Sequence, residues 1–186
     1  MNRNLKTMKI PENITFEQAI ALTESLLDKM AKGELPPEEI TNAIAELVPT
    51  QNGARGFFVA YLTSDHPFAD NHPPEVLQGL SSHPLAIAEL LAKNLAMSAA
   101  MVLTHQRNGN EEMAQSSARV RDRSKTLINQ LNLPEVWEKC QQLQTAATTG
   151  EGQYQAFLER WGYDREQLQL MIDNLTFAPE VRLHPA

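Results

Sequence analysis

Residues 84–131 read PLAIAELLAKNLAMSAAMVLTHQRNGNEEMAQSSARVRDRSKTLINQL, and this stretch decides the fold. From Pro84 to about Gln106 apolar residues recur at helical spacing behind an opening proline. Arg107-Asn108-Gly109-Asn110 is a tight turn, in which Gly109 ends one helix and Asn110 caps the next. Glu111 and Glu112 follow in the first turn, where the helix dipole favours acids. The second helix runs to about Leu131, and Met113, Ser117, Val120, Ser124, Leu127 and Leu131 are expected as its inward seam. The two arms predict a long central helical hairpin. Leu85 to Leu103 is about long enough to span a bilayer. Glu89, Lys93, Asn94 and Ser98 interrupt it and many of its residues are weakly apolar alanines, so it reads as a core helix wrapped by neighbours on most sides.

Working outward, helical spacing continues almost everywhere. Thr15-x-x-Gln18 is a capping box for a helix carrying Phe16, Ile20, Leu26, Leu27 and Met30 on one stripe, with Gly33 past its end. Pro36 and Pro37 open a second helix with Ile40, Ala43, Ile44, Leu47 and Val48 on one face. Ala54–Thr63 is rich in aromatic and β-branched residues, but no second strand-like run exists to pair with it, so it reads as a short buried helix. Residues 64–83 form a connector with a helical turn or two near Pro74–Gly79. Beyond the hairpin, helices are expected over Pro134–Ala147 and Gln153–Trp161, and Asp164-x-x-Gln167 caps a last one bearing Leu168, Met171, Ile172 and Leu175. The expectation is an all-α, mostly antiparallel helical bundle of seven to nine helices. Residues 1–14 form an arm, 15–177 a single domain with a weak division near 146–152, and 178–186 a tail.

The stretch GELPPEEITNAIAEL (residues 33–47), with the helix before it, resembles the N-terminal helical segment of anthranilate-type phosphoribosyltransferases. The likeness covers under a fifth of the chain and implies a helical hairpin. It does not imply the activity, because the glycine-rich phosphate loops are absent and the chain is too short for that catalytic domain.

Composition closes off several functions. The 186 residues include eight glycines and one cysteine, Cys140, so an intramolecular disulfide and a multi-cysteine metal cluster are excluded. No cofactor fingerprint is present, and no apolar run of signal-peptide length stands near the N-terminus, so the expectation is a soluble, cytoplasmic protein. The formal charge of −7 is polarised. Residues 10–90 carry twelve acids against Lys29, Lys32 and Arg55, whereas residues 91–125 are net positive. So acidic an N-terminal half would repel phosphates, which makes nucleic acid an improbable partner.

Three groups of residues invite a functional reading. Arg119, Arg121, Arg123 and Lys125 make a basic ridge, either a solvated surface answering acidic neighbours in the same fold or a partner-binding face. Asn94, Ser98 and His105 on the first arm face Ser117 and Ser124 on the second, with Arg123 at the edge. They form a polar seam that either satisfies itself or holds a small ligand, since buried polar groups need partners. His66, His72 and His83 share the connector with Asp65 and Asp70, ligand types suited to zinc or iron. Their spacing matches no metal motif, and each histidine precedes a proline, as does His184, which suits helix entrances better. The leading expectation is a non-enzymatic interaction, regulatory or assembly module acting through charged helical surfaces, with a protein partner or self-association between acidic face and ridge. A ligand binder using the seam is second, and a metal-dependent enzyme using the connector third.

Overall fold

The computed structural model describes residues 10–177, and the 1–9 and 178–186 segments of the arm and tail lie outside it. The described residues form nine α-helices and one 3-10 turn with no strand. In chain order these are α1 (Phe16–Ala31), α2 (Pro37–Leu47), α3 (Gln51–Thr63), the turn Pro67–Ala69, α4 (Pro74–Ser81), α5 (Pro84–Arg107), α6 (Glu111–Leu131), α7 (Pro134–Thr149), α8 (Gln155–Trp161) and α9 (Arg165–Leu175). Local chemistry sets most boundaries. Both capping boxes form, at Thr15/Gln18 and Asp164/Gln167. The Asn110 side chain accepts from the Met113 amide at 3.1 Å, and α2, α4, α5 and α7 each open with proline. The ambiguous Ala54–Thr63 run is helical, inside α3.

The central hairpin organises the packing. α5 is covered by α6, α7 and α9, while α1 packs on α3 and α2 on α4. By length and mean hydropathy α5 is the one described helix that could cross a membrane. Half of its apolar window is instead buried inside the protein, because Ala88, Ala92, Ala96, Ala99 and Ala100 let neighbouring helices approach closely. Glycine does the same elsewhere. A Cβ on Gly56 of α3 would stand 2.4 Å from the Ala19 Cβ of α1, and one on Gly79 of α4 would stand 2.9 Å from the Thr41 carbonyl of α2.

Several sequence expectations need correction. Met113 is 45% exposed, and the inward face of α6 is Ala114, Arg123, Ser124, Leu127, Ile128 and Leu131. The Glu89–Lys93 i, i+4 pair marks the wetter side of α5 in sequence, but that side, which also carries Ala96, Ala100 and Thr104, is not wet throughout. Ala96 and Ala100 are fully buried, and Gln167 of α9 donates to the Thr104 hydroxyl at 2.8 Å. α7 extends past Ala147 because the left-handed C-cap stands at Gly150, and within the extension the Thr145, Thr148 and Thr149 hydroxyls bond back to carbonyls four residues earlier.

Candidate functional site

The densest polar constellation joins α3, the connector and α6. Arg123 sits in mid-α6, only 4% exposed, and its side chain crosses to the C-terminus of α3. There Nη1 donates to the Leu62 carbonyl at 2.9 Å and the Ser64 carbonyl at 2.7 Å, while Nε donates to Asp70 Oδ1 at 2.7 Å. The last carbonyls of a helix have no intrahelical partner and carry the negative end of its dipole, so a buried guanidinium suits this position. The Arg123 backbone carbonyl is engaged too. It lies 3.1 Å from His72 Nε2, and His72 Nδ1 lies 2.8 Å from the Tyr61 hydroxyl. A carbonyl can only accept, so Nε2 carries the proton and Nδ1 accepts from Tyr61.

The electrostatics follow from that geometry. Burial pushes the His72 pKa down to about 4, with the nearby Arg123 charge acting in the same direction. Burial also raises the Tyr61 phenol well above its ordinary value. The hydrogen bond from Arg123 holds the Asp70 carboxyl below the usual carboxylate range. A neutral imidazole, an un-ionised phenol and a paired guanidinium, all buried, form a closed set of bonds. The set ties the connector to two helices. Its one solvent-facing member is Asp70, whose carboxylate is bonded to Arg123 through Oδ1.

The basic ridge is therefore dispersed rather than presented as one surface. Arg123 points inward, Arg119 bonds Asp65 at 3.2 Å, Arg121 bonds its neighbour Asp122 at 2.8 Å, and Lys125 lies over the Phe177 ring. Asp65 and Asp70 belong to the acidic segment of the same chain, so a homodimer pairing ridge with acidic face loses two of its four cations to contacts already made.

The connector residues are dispersed as well. His66 stacks on Phe68 and approaches Asp28 at 3.5 Å. His72 is sealed against Tyr61, His83 occupies the N-cap position of α5, and Asp65 and Asp70 face arginines. Among the described residues no three His, Cys, Asp or Glu side chains converge as a metal set. His184 lies outside the described residues.

The polar seam does not bond across the hairpin. The Ser98 hydroxyl donates to carbonyls of its own helix, Asn94 at 2.6 Å and Leu95 at 3.1 Å. Ser124 is fully buried and its hydroxyl makes no hydrogen bond among the described residues. Asn94, His105 and Ser117 are half-buried. Arg123, expected at the edge of the seam, leaves it for α3.

A cleft that sequence reasoning missed lies between the first turn of α3 and the first half of α5. It encloses about 340 Å³ and is lined by Pro49, Ala54, Arg55, Leu85, Glu89 and Lys93, among others. Leu85 is 81% exposed at its mouth. Lys93 is committed: its ammonium donates to Glu89 at 2.5 Å and lies over the rings of Phe157 and Tyr154, 4.8 and 5.5 Å from their centroids. The Arg55 guanidinium lies over the Phe16 ring, 5.0 Å from its centroid, and among the described residues it makes no ion pair or hydrogen bond. The available signal was the rarity of Arg55, one of three bases among residues 10–90.

A family model described as "Uncharacterised conserved protein UCP020893" matches residues 15–177. No curated protein and no solved structure matches the chain.

Proposed function

The chain belongs to the family of that description, whose span covers nearly all the described fold, and from that premise we propose that it is a non-enzymatic interaction module acting through charged helical surfaces. One observation carries the reading. The cations of α6 each have a carboxylate or aromatic partner within the molecule, whereas the eight carboxylates between Glu12 and Glu46 have a single ion-pair partner among the described residues, His66 on Asp28. Seven of those carboxylate side chains are exposed. The α1–α2 hairpin therefore presents an acidic surface that the fold leaves unneutralised, and the partner it suits is a protein with a basic face. Complementary charge gives such a contact its specificity and its salt dependence.

Quantitative cross-linked copurification from native cells tests this. The full chain and a Glu17→Lys/Glu24→Lys/Glu38→Lys/Glu46→Lys variant are compared at low and high salt. A protein retained by the parent chain, released by salt and lost with the variant is the expected result. Equal recovery with both chains, or no salt-sensitive partner, would overturn the proposal. Light scattering on the same pair reads self-association directly. A dimer dissolved by the four substitutions would identify the partner as a second copy.

A further inference from the structure

We propose that the cleft between α3 and α5 binds a monoanionic amphipathic molecule, an alkyl or aryl carboxylate. Its carboxylate would sit on Arg55 and its apolar body along Leu85, Ala86 and Leu90. Three observations converge on this ligand class. The volume, about 340 Å³, falls at the small end of the range for ligand clefts. The lining combines apolar surface from Pro49, Ala54, Leu85, Ala86 and Leu90 with three charged side chains. Those charges also sum to a definite demand. Glu89 and Lys93 cancel each other through their 2.5 Å bond, which leaves Arg55 as one uncompensated cation.

That cation is unusual in its setting. Residues 10–90 carry twelve acids and three bases, so a guanidinium there has many potential partners. Among the described residues it takes none of them. It rests instead on the face of Phe16, which positions the planar group while leaving its N–H donors for a ligand. A guanidinium fork matches a carboxylate bidentately. A phosphate dianion would need a second free cation, and Lys93 is engaged by Glu89 and two aromatic rings.

Titration of the isotope-labelled full chain with decanoate, decanol and inorganic phosphate, followed by backbone amide shifts, tests the assignment. Decanoate is expected to bind, with its largest shifts at Gln51, Ala54, Ala86 and Leu90, and decanol and phosphate to bind far more weakly. Arg55→Gln should weaken decanoate about tenfold or more, because a charge-assisted pair is lost. Glu89→Gln should tighten it several-fold, because the lining then carries two uncompensated cations. Both side chains are exposed, so both variants should keep the fold. Decanol binding as tightly as decanoate, phosphate competing equally, an Arg55→Gln variant indistinguishable from the parent, or shifts centred elsewhere would each overturn the proposal. The copurification experiment does not involve this cleft, so either idea can fail without the other.

Discussion

The chain holds two groups of cations, and they differ in what the fold does with them. On α6, four bases fall within seven residues, and each is taken up by a carboxylate, a carbonyl or an aromatic face of the same molecule. At the α3–α5 cleft, a single arginine in an acid-rich half of the chain is left without a carboxylate. The crowded group is already paired, with Arg123 alone buried, and the sparse one is available. Density of charge along a sequence therefore does not locate a binding site. What matters is whether each charge is already paired in three dimensions.

The sharpest way to break this contrast is to remove the charge that is most completely spent. Arg123→Ala leaves the Leu62 and Ser64 carbonyls without their donor, while the Asp70 carboxylate is mostly exposed and can turn to water, so the loss should be about 2–4 kcal/mol in urea-induced unfolding. A loss below about 1 kcal/mol would mean that the arginine is not a structural staple. Arg123→Lys keeps the charge but not the planar fork, so it should recover only part of the loss.

Acid probes the same staple without mutation. The unfolded chain protonates His72 near its ordinary value of 6.5, and the folded chain resists until about 4. Between those values the unfolded state binds more protons, so stability falls as pH drops through the window, by about 3 kcal/mol at most. Asp70, held low by Arg123, adds to the loss further down. Denaturation midpoints at pH 7 and 4.5 should differ accordingly, and His72→Gln should flatten the difference. An unchanged pH dependence in that variant would assign the acid sensitivity elsewhere.

Tyr61→Phe removes one donor from the imidazole and should cost about 1 kcal/mol. Smallest of all are the exposed cations. Arg119→Ala and Arg55→Ala should each shift stability by no more than about 0.5 kcal/mol, since surface pairs contribute little. Arg55→Ala is separated from the others by its other readout: decanoate binding lost at unchanged stability.

Much of the architecture was readable in the letters because helix ends are chemically local. Thr15/Gln18, Asn110, Asp164/Gln167 and the opening prolines mark their boundaries within a few residues of chain, and the 84–131 hairpin announces itself by apolar period and turn. α3 was readable by elimination, since a lone strand has nothing to pair with. The candidate sites were less legible for the opposite reason. Four-residue spacing puts Arg119 and Arg123 on one side of a helix and the apolar period puts Met113 on the inner seam, but neither knows where neighbouring helices end. The cleft is built from residues some thirty positions apart, Arg55 and Leu85, and no local pattern links them.

Sequence alone determined that this chain is helical, where most helices start, and that its charge is polarised. Those properties depend on neighbours within one or two turns. Tertiary structure alone decided which of four near-equivalent bases on α6 goes inward, because only Arg123 meets the unsatisfied carbonyls at the end of α3. It also decided that His72 is a sealed imidazole rather than a metal ligand, and that Arg55 stays unpaired. Pairing is a property of distances between segments, and those are fixed only when the helices have packed.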